Sequence, residues 1–118
     1  MSADRILIVG LRELGVHGVL PEEQARPQPF QVDVELDVDL MVPGETDRLE
    51  DTVDYAAVAE SVRRVVASES YQLIERLATR IVDVCKADAR VSSVVVTVRK
   101  LQPSLRAMVE ATAVRIER

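Results

Sequence analysis

Aromatic residues are scarce in this chain of 118 residues: Phe30, Tyr55 and Tyr71 are the only three, and tryptophan is absent. A core with so few rings must be filled by aliphatic side chains, and twenty-one valines point to strands as a large part of it. Histidine and cysteine occur once each, as His17 and Cys85. That is too few for a zinc cage or an iron–sulfur cluster made within one chain, so metal chemistry is not expected, with carboxylate-bound magnesium the one form the composition leaves open. A single unpaired cysteine forms no disulfide within the chain, which makes the reducing cytoplasm the expected compartment. No apolar run approaches the roughly 20 residues that a membrane helix needs. The start, Met-Ser-Ala-Asp-Arg, lacks the basic region and apolar stretch of a secretory signal. Lysine and arginine total 15 against 20 acidic residues, a net charge of −5, so the concentrated positive charge of a nucleic-acid binder is missing. Neither nucleic acid nor membrane is an expected partner.

What is present is regular. A chain of this length forms one domain with one core. Phe30, Val32, Val34, Leu36, Val38, Leu40 and Val42 take every second position, with Gln31, Asp33, Glu35, Asp37 and Asp39 between them. A period of two predicts a long strand with one buried and one wet face, stopped at Pro43-Gly44. Arg5 to Leu14 is apolar on both alternating sets, with Ile6 and Ile8 on one and Leu7, Val9 and Leu11 on the other. It reads as the antiparallel partner, joined by an irregular stretch, Gly15 to Pro29, too rich in glycine and proline for a helix or a central strand. Tyr55, Val58, Val62 and Val65 recur at helical spacing behind Asp54, the expected cap. Leu73, Ile74, Leu77, Ile81, Val84 and Cys85 do the same behind Ser70, so two antiparallel helices are expected against one sheet face. Val91 to Arg99 and, more weakly, Met108 to Ile116 return to strands. The order is β-β-α-α-β-β, an α+β fold with a four-stranded antiparallel sheet.

Few of these side chains offer chemistry. The acidic residues of the alternating strand read as its solvent face, and Glu22 and Glu23 are loop charges by composition, though loops carry sites disproportionately. Glu75 sits in the first turn of the second helix, where it either complements the dipole or accepts hydrogen bonds from a polar ligand. Lys100 closes a valine-rich strand and is either a simple terminator or a base whose pKa burial lowers. Tyr55 is a proton relay or a half-buried core ring. His17 has no nucleophile motif beside it, Cys85 falls on an apolar stripe, and Gly15-Val16-His17-Gly18 is too short for a phosphate cradle.

Several motifs in order resemble the dihydroneopterin aldolases of the tunnelling-fold group: Gly15-Val16-His17-Gly18-Val19, Glu23, Gln28-Pro29-Phe30, Asp51-Thr52-Val53-Asp54-Tyr55, Leu73-Ile74-Glu75-Arg76-Leu77-Ala78 and Val96-Thr97-Val98-Arg99-Lys100. The resemblance covers the chain from about residue 5 onward. It implies subunits whose sheets close into a tetrameric barrel and stack as a homo-octamer, with each active site shared between neighbours and the acidic strand face lining a hydrated tunnel. By the same resemblance, Glu75 and the backbone at Ile74 bind the pterin, Tyr55 comes from the adjoining subunit, Glu23 contacts the hydroxylated side chain, Gln28 supports the loop, and Lys100 carries the proton. The implied reaction, a step of folate biosynthesis, is a retro-aldol cleavage of dihydroneopterin to hydroxymethyl-dihydropterin and glycolaldehyde, with no metal and no cofactor. The sequence departs from the family pattern after the lysine, in Leu101-Gln102-Pro103-Ser104-Leu105-Arg106, and has Pro27 where glycine often precedes the glutamine. Lys100-Leu101 is similar to the related dihydroneopterin triphosphate epimerases; that resemblance would have Arg106 meet a phosphate, while its own position reads first as an exposed turn arginine. A third reading, a non-catalytic module that binds a small ligand, is disfavoured by the element order, since such ferredoxin-like modules alternate strand-helix-strand.

Overall fold

The computed structural model describes residues 3–118. Its central strand is Gln28–Asp37 (β2), flanked by Arg5–His17 (β1) and Ser93–Lys100 (β4), with Thr112–Glu117 (β5) beyond β4, all antiparallel. These are the four strands expected. A two-residue strand, Ser70–Tyr71 (β3), adds a fifth, pairing parallel with Val16 and His17. Phe30, Val32, Val34 and Leu36 of β2 and Val94, Val96 and Val98 of β4 are buried on one face. Tyr55–Ser68 (α3) and Ile74–Cys85 (α4) cover that face with Val62, Val65, Val66, Leu77, Ala78, Ile81 and Cys85. Burial pushes the Cys85 thiol up to about 12, so it stays an inert core residue. Asp54 caps α3 as expected, accepting from Ala56 N–H at 3.0 Å. Among the described residues, no helix is long and apolar enough to cross a membrane.

The change of face along β1, whose alternating sets are both apolar, has a local cause. Gly10 has φ 73°, a left-handed backbone that favours glycine. Between Ile8↔Val34 and Leu11↔Val32, two residues of β1, Val9 and Gly10, stand opposite one of β2, Asp33. This β-bulge moves Leu11 onto the face occupied by Ile6 and Ile8. Asp33 Oδ1 accepts from Gly10 N–H at 2.7 Å and holds the bulge.

Four boundaries differ from expectation. First, β2 ends at Asp37 rather than Val42. Asp4 Oδ2 accepts from Leu40 N–H and Asp39 Oδ1 from Met41 N–H, so polar side chains bend the chain into a short helix, Met41–Thr46 (α2). Pro43 is tolerated there because the first turn needs no proline N–H. Second, the stretch from Gly15 to Pro29 is mostly regular: β1 continues to His17, Pro21–Ala25 (α1) forms a turn and a half, and Gln28 already pairs with Gly15. Third, Ser70 caps no helix; it lies in β3 and donates to Val16 O at 2.6 Å, while Leu73 precedes α4 without a side-chain cap. Last, Met108 to Ala111 lie outside β5, with Met108 fully exposed.

β1 packs closely on α3. A Cβ at Gly15 would lie 2.4 Å from Val66 O and 2.9 Å from His17 Nε2, whereas one at Gly44 would meet nothing within 4 Å. Gly15→Ala is therefore expected to cost about 2 kcal/mol or more by overpacking, read by urea unfolding, with Gly44→Ala changing stability by less than about 0.5 kcal/mol.

Candidate active site

Three of the candidate residues meet at one end of the sheet. Lys100 is the last residue of β4 and pairs with Phe30 in the register, two residues from Gln28 at the start of β2. Glu23 lies on α1, which begins at Pro21, where a fixed φ suits a first helical position. Lys100 Nζ donates to Glu23 Oε2 at 2.8 Å, and Gln28 Nε2 donates to the same oxygen at 3.3 Å. The other oxygen accepts from Leu20 N–H at 3.4 Å. Glu23 is 7% exposed, so its charge is sheltered from screening and the pair is worth more than a surface ion pair. Burial pushes the Glu23 carboxyl up, but the bonds from Lys100, Gln28 and Leu20 outweigh it and hold the carboxyl below its usual range. The result is a carboxylate and a lysine side-chain nitrogen in fixed register.

The other candidates are placed elsewhere. Ile74 and Glu75 open α4 just after Tyr71, whose carbonyl accepts from Gly18 N–H at 2.9 Å. They thus stand near the same end of the sheet, with Glu75 exposed at an N-terminus that no side chain caps. Tyr55 is at the opposite end, 64% exposed, beside a mainly apolar cleft of about 360 Å³ lined by Ile6, Leu40, Leu49 and Val53. Ile6 pairs with Leu36 while Lys100 pairs with Phe30, six residues apart on β2 and hence roughly 20 Å. Tyr55 is therefore not a core ring, and it does not reach the Glu23–Lys100 pair of its own chain. A second cleft, about 390 Å³, adjoins that pair and is lined by Glu22, Glu23, Arg26, Gln28, Gln102 and Ser104. Arg106 lies in the exposed connection beyond it and does not line the cleft.

Residues around the pair also matter, and sequence reasoning passed over them. A Cβ at Gly18 would lie 2.5 Å from Glu23 Cβ and Cδ, so only glycine leaves room for the carboxylate. Gln24 donates its amide to Gly18 O and, at 3.3 Å, to Tyr71 O. The signal is the motif Gly15-Val16-His17-Gly18-Val19, which carries the family resemblance but by itself assigns no role to Gly18.

A family model described as dihydroneopterin aldolase matches residues 6–117. The chain belongs to the dihydroneopterin aldolase family. A dihydroneopterin aldolase of Streptococcus pyogenes serotype M18 is 38% identical over 116 residues, 98% of each chain. Among solved structures, the Escherichia coli dihydroneopterin aldolase in complex with neopterin is similar with a TM-score of 0.89 at 28% identity, covering 98% of both chains. A Burkholderia dihydroneopterin aldolase bound to guanine has a TM-score of 0.77 at 25% identity, covering 98% of this chain and 89% of its own. Family membership and the fold thus agree over nearly the whole chain.

The low carboxyl pKa of Glu23 has a sign that can be checked. A carboxylate titrating lower in the folded than in the unfolded chain adds stability above its ordinary value of 4.5, and that stability is lost as pH falls through the folded pKa. In Lys100→Met the burial effect should dominate, and the Glu23 midpoint should rise above its ordinary value. Carboxyl-carbon NMR titration of both proteins measures this directly; a midpoint unchanged by the substitution would show that the ion pair does not set it.

Proposed function

We propose that Glu23, Gln28 and Lys100, with Glu75 and the backbone at Ile74, form one part of a pterin site that Tyr55 of a neighbouring subunit completes. The chain is a carbon–carbon lyase of the dihydroneopterin aldolase family, and the single observation that carries the site is Lys100 Nζ held 2.8 Å from the buried Glu23 carboxylate. An amine fixed at that place can take a proton from one group and return it to another. Glu75 offers two carboxylate oxygens to the paired N–H donors of a pterin ring, a bidentate match. The uncapped backbone N–H groups at the start of α4 suit the ring's carbonyl oxygen.

The reaction then balances without an external reagent. A proton leaves the hydroxyl on the second side-chain carbon of dihydroneopterin, and that oxygen becomes a carbonyl. The bond between the first and second side-chain carbons breaks, and its electron pair moves into the ring imine. Glycolaldehyde departs, and a proton returned to the first side-chain carbon leaves the hydroxymethyl-dihydropterin. Lys100 is the proton carrier in this reading, Glu23 orients both the lysine and the substrate's hydroxyl groups, and Gln28 holds Glu23.

Epimerisation would use the same bond breakage followed by re-addition to the opposite face of the aldehyde. The charge around the cleft favours the aldolase reading on an unphosphorylated substrate: Glu22 and Glu23 face only Arg26 among the lining residues, and Lys100 is already matched to Glu23. A triphosphate would meet no net positive field there.

The placement of Tyr55 supports a shared site and a homo-oligomer. Among the described residues, the outer edge of β5 has no partner strand, and β3 covers β1 only at Val16 and His17, leaving the edge from Ile6 to Leu14 open. Joining such edges between subunits, as in a tetrameric ring or an octamer of two rings, removes exposed pairing groups.

Supplied with dihydroneopterin, the protein is expected to release glycolaldehyde, and to turn over the free compound faster than its triphosphate; preference for the triphosphate with inversion of the side chain would instead establish the epimerase. Lys100→Ala should lower kcat by at least about a hundredfold. Mixing Lys100→Ala and Tyr55→Ala subunits after dissociation should restore part of the activity that each lacks alone, because some sites then hold both native residues. Absence of any recovery in mixed oligomers would refute a shared site.

A further inference from the structure

His17 is fully buried, yet every polar atom of its ring is used. Val66 O lies 2.8 Å from Nε2, and Tyr71 N–H points at Nδ1 from 3.1 Å. A carbonyl can only accept and an N–H can only donate, so the ring is the neutral tautomer with its proton on Nε2. Its ring lies edge-on to Phe30 at 5.1 Å and stacks with Tyr71 at 6.0 Å, which leaves it no second orientation. Its own carbonyl accepts from Gln28 Nε2 at 3.3 Å. His17 therefore touches α3, β3 and the start of β2 at once.

The contact with Tyr71 leads to both halves of the proposed site. Tyr71 O accepts from Gly18 N–H and from the Gln24 amide, the residues flanking the turn that aims Glu23 at Lys100. Tyr71 is also three residues before Ile74, where α4 begins. Resting on the active-site reading above, we propose that His17 is a positioning residue: through the Nδ1 contact to Tyr71 N–H it sets the distance between the Glu23–Lys100 pair and the pterin-binding start of α4. The reaction needs both at once, because the lysine must reach a side-chain hydroxyl while Glu75 holds the ring, and a misplacement of about 1 Å is costly.

The chemistry of the ring agrees. Burial lowers the imidazole pKa, the Val66 bond and the Glu69 carboxylate oppose the fall, the Lys100 charge adds to it, and the net direction is down. A proton on Nδ1 would face the Tyr71 N–H, donor against donor. A hydrophobic isostere could fill the volume but could not accept that hydrogen bond.

The test compares His17→Asn, whose amide oxygen can take the place of Nδ1, with His17→Leu, which fills the space and accepts nothing. Both should lose thermal stability. At a temperature where both are folded, His17→Leu should lose on the order of tenfold to a hundredfold in kcat, with KM rising and the Glu23 carboxyl midpoint moving up, while His17→Asn keeps most of both. Gln24→Ala removes an exposed link of the same chain and should lower kcat and move the Glu23 midpoint in the same direction without unfolding the protein. Equal kcat in the two His17 variants and the parent, or a parental Glu23 midpoint and kcat in Gln24→Ala, would overturn the proposal, and if neither His17 variant folds, Gln24→Ala alone decides it. A parent chain that releases no glycolaldehyde would sink the aldolase reading instead, and the Glu23 midpoints would still decide the role of His17.

Discussion

Burial of alternate side chains along β2 is the constraint on which the rest depends. Phe30, Val32, Val34 and Leu36 are each at most 1% exposed, and slipping the strand by one residue would put Gln31, Asp33 and Glu35 in their place. The register with both neighbours is therefore fixed by desolvation. That register carries Lys100 opposite Phe30 and Gly15 opposite Gln28. The ends of three strands thus converge on the turn that holds Glu23. A site of polar residues is positioned by an apolar pattern a few residues away.

The two faces of the sheet do different work. The helix side is dry and aliphatic, with His17 as its one fully buried polar ring among the described residues. On the other side, Asp33 accepts from Gly10 N–H and pairs with Arg99. Burial raises the Asp33 carboxyl, the Arg99 and Gly10 hydrogen bonds outweigh that, and the net shift is downward. The acidic residues of β2 are thus partly structural: one of them clamps the bulge that turns Leu11 toward the core. Reading all of them as a solvated face captured the alternation and missed that role.

Local features were legible because their causes are local. A period of two along Phe30 to Leu36, a stripe at helical spacing behind Asp54, and a second from Leu73 to Cys85 each follow from which side of one element meets the core. Tyr55 shows the limit. It stands at a stripe position of α3, yet its ring is exposed, in a cleft with Ile6, Leu40 and Leu49 rather than in the core. The early end of β2 and the short strand β3 depend on Asp4, Val16 and Ser70, residues far away in the chain, and no window of sequence contains both partners. Glu23, Glu75 and Lys100 were singled out by their resemblance to a family motif, since composition and spacing left each with a plainer explanation.

The sequence by itself determined the α+β class, the order of the principal elements, the aliphatic core and the family to which the chain belongs. These rest on patterns that repeat within single elements or persist as ordered motifs. The tertiary structure alone decided that Glu23 meets Lys100 across 77 residues, that His17 is a neutral ring locked between Val66 and Tyr71, and that Tyr55 faces away from both. Pairing of this kind depends on where strand ends converge, and that is set by register and by a one-residue bulge at Gly10. The scarcity of aromatic residues is thereby sharpened: of three rings, Phe30 is spent on the core, Tyr71 stacks on His17, and Tyr55 is left on the surface.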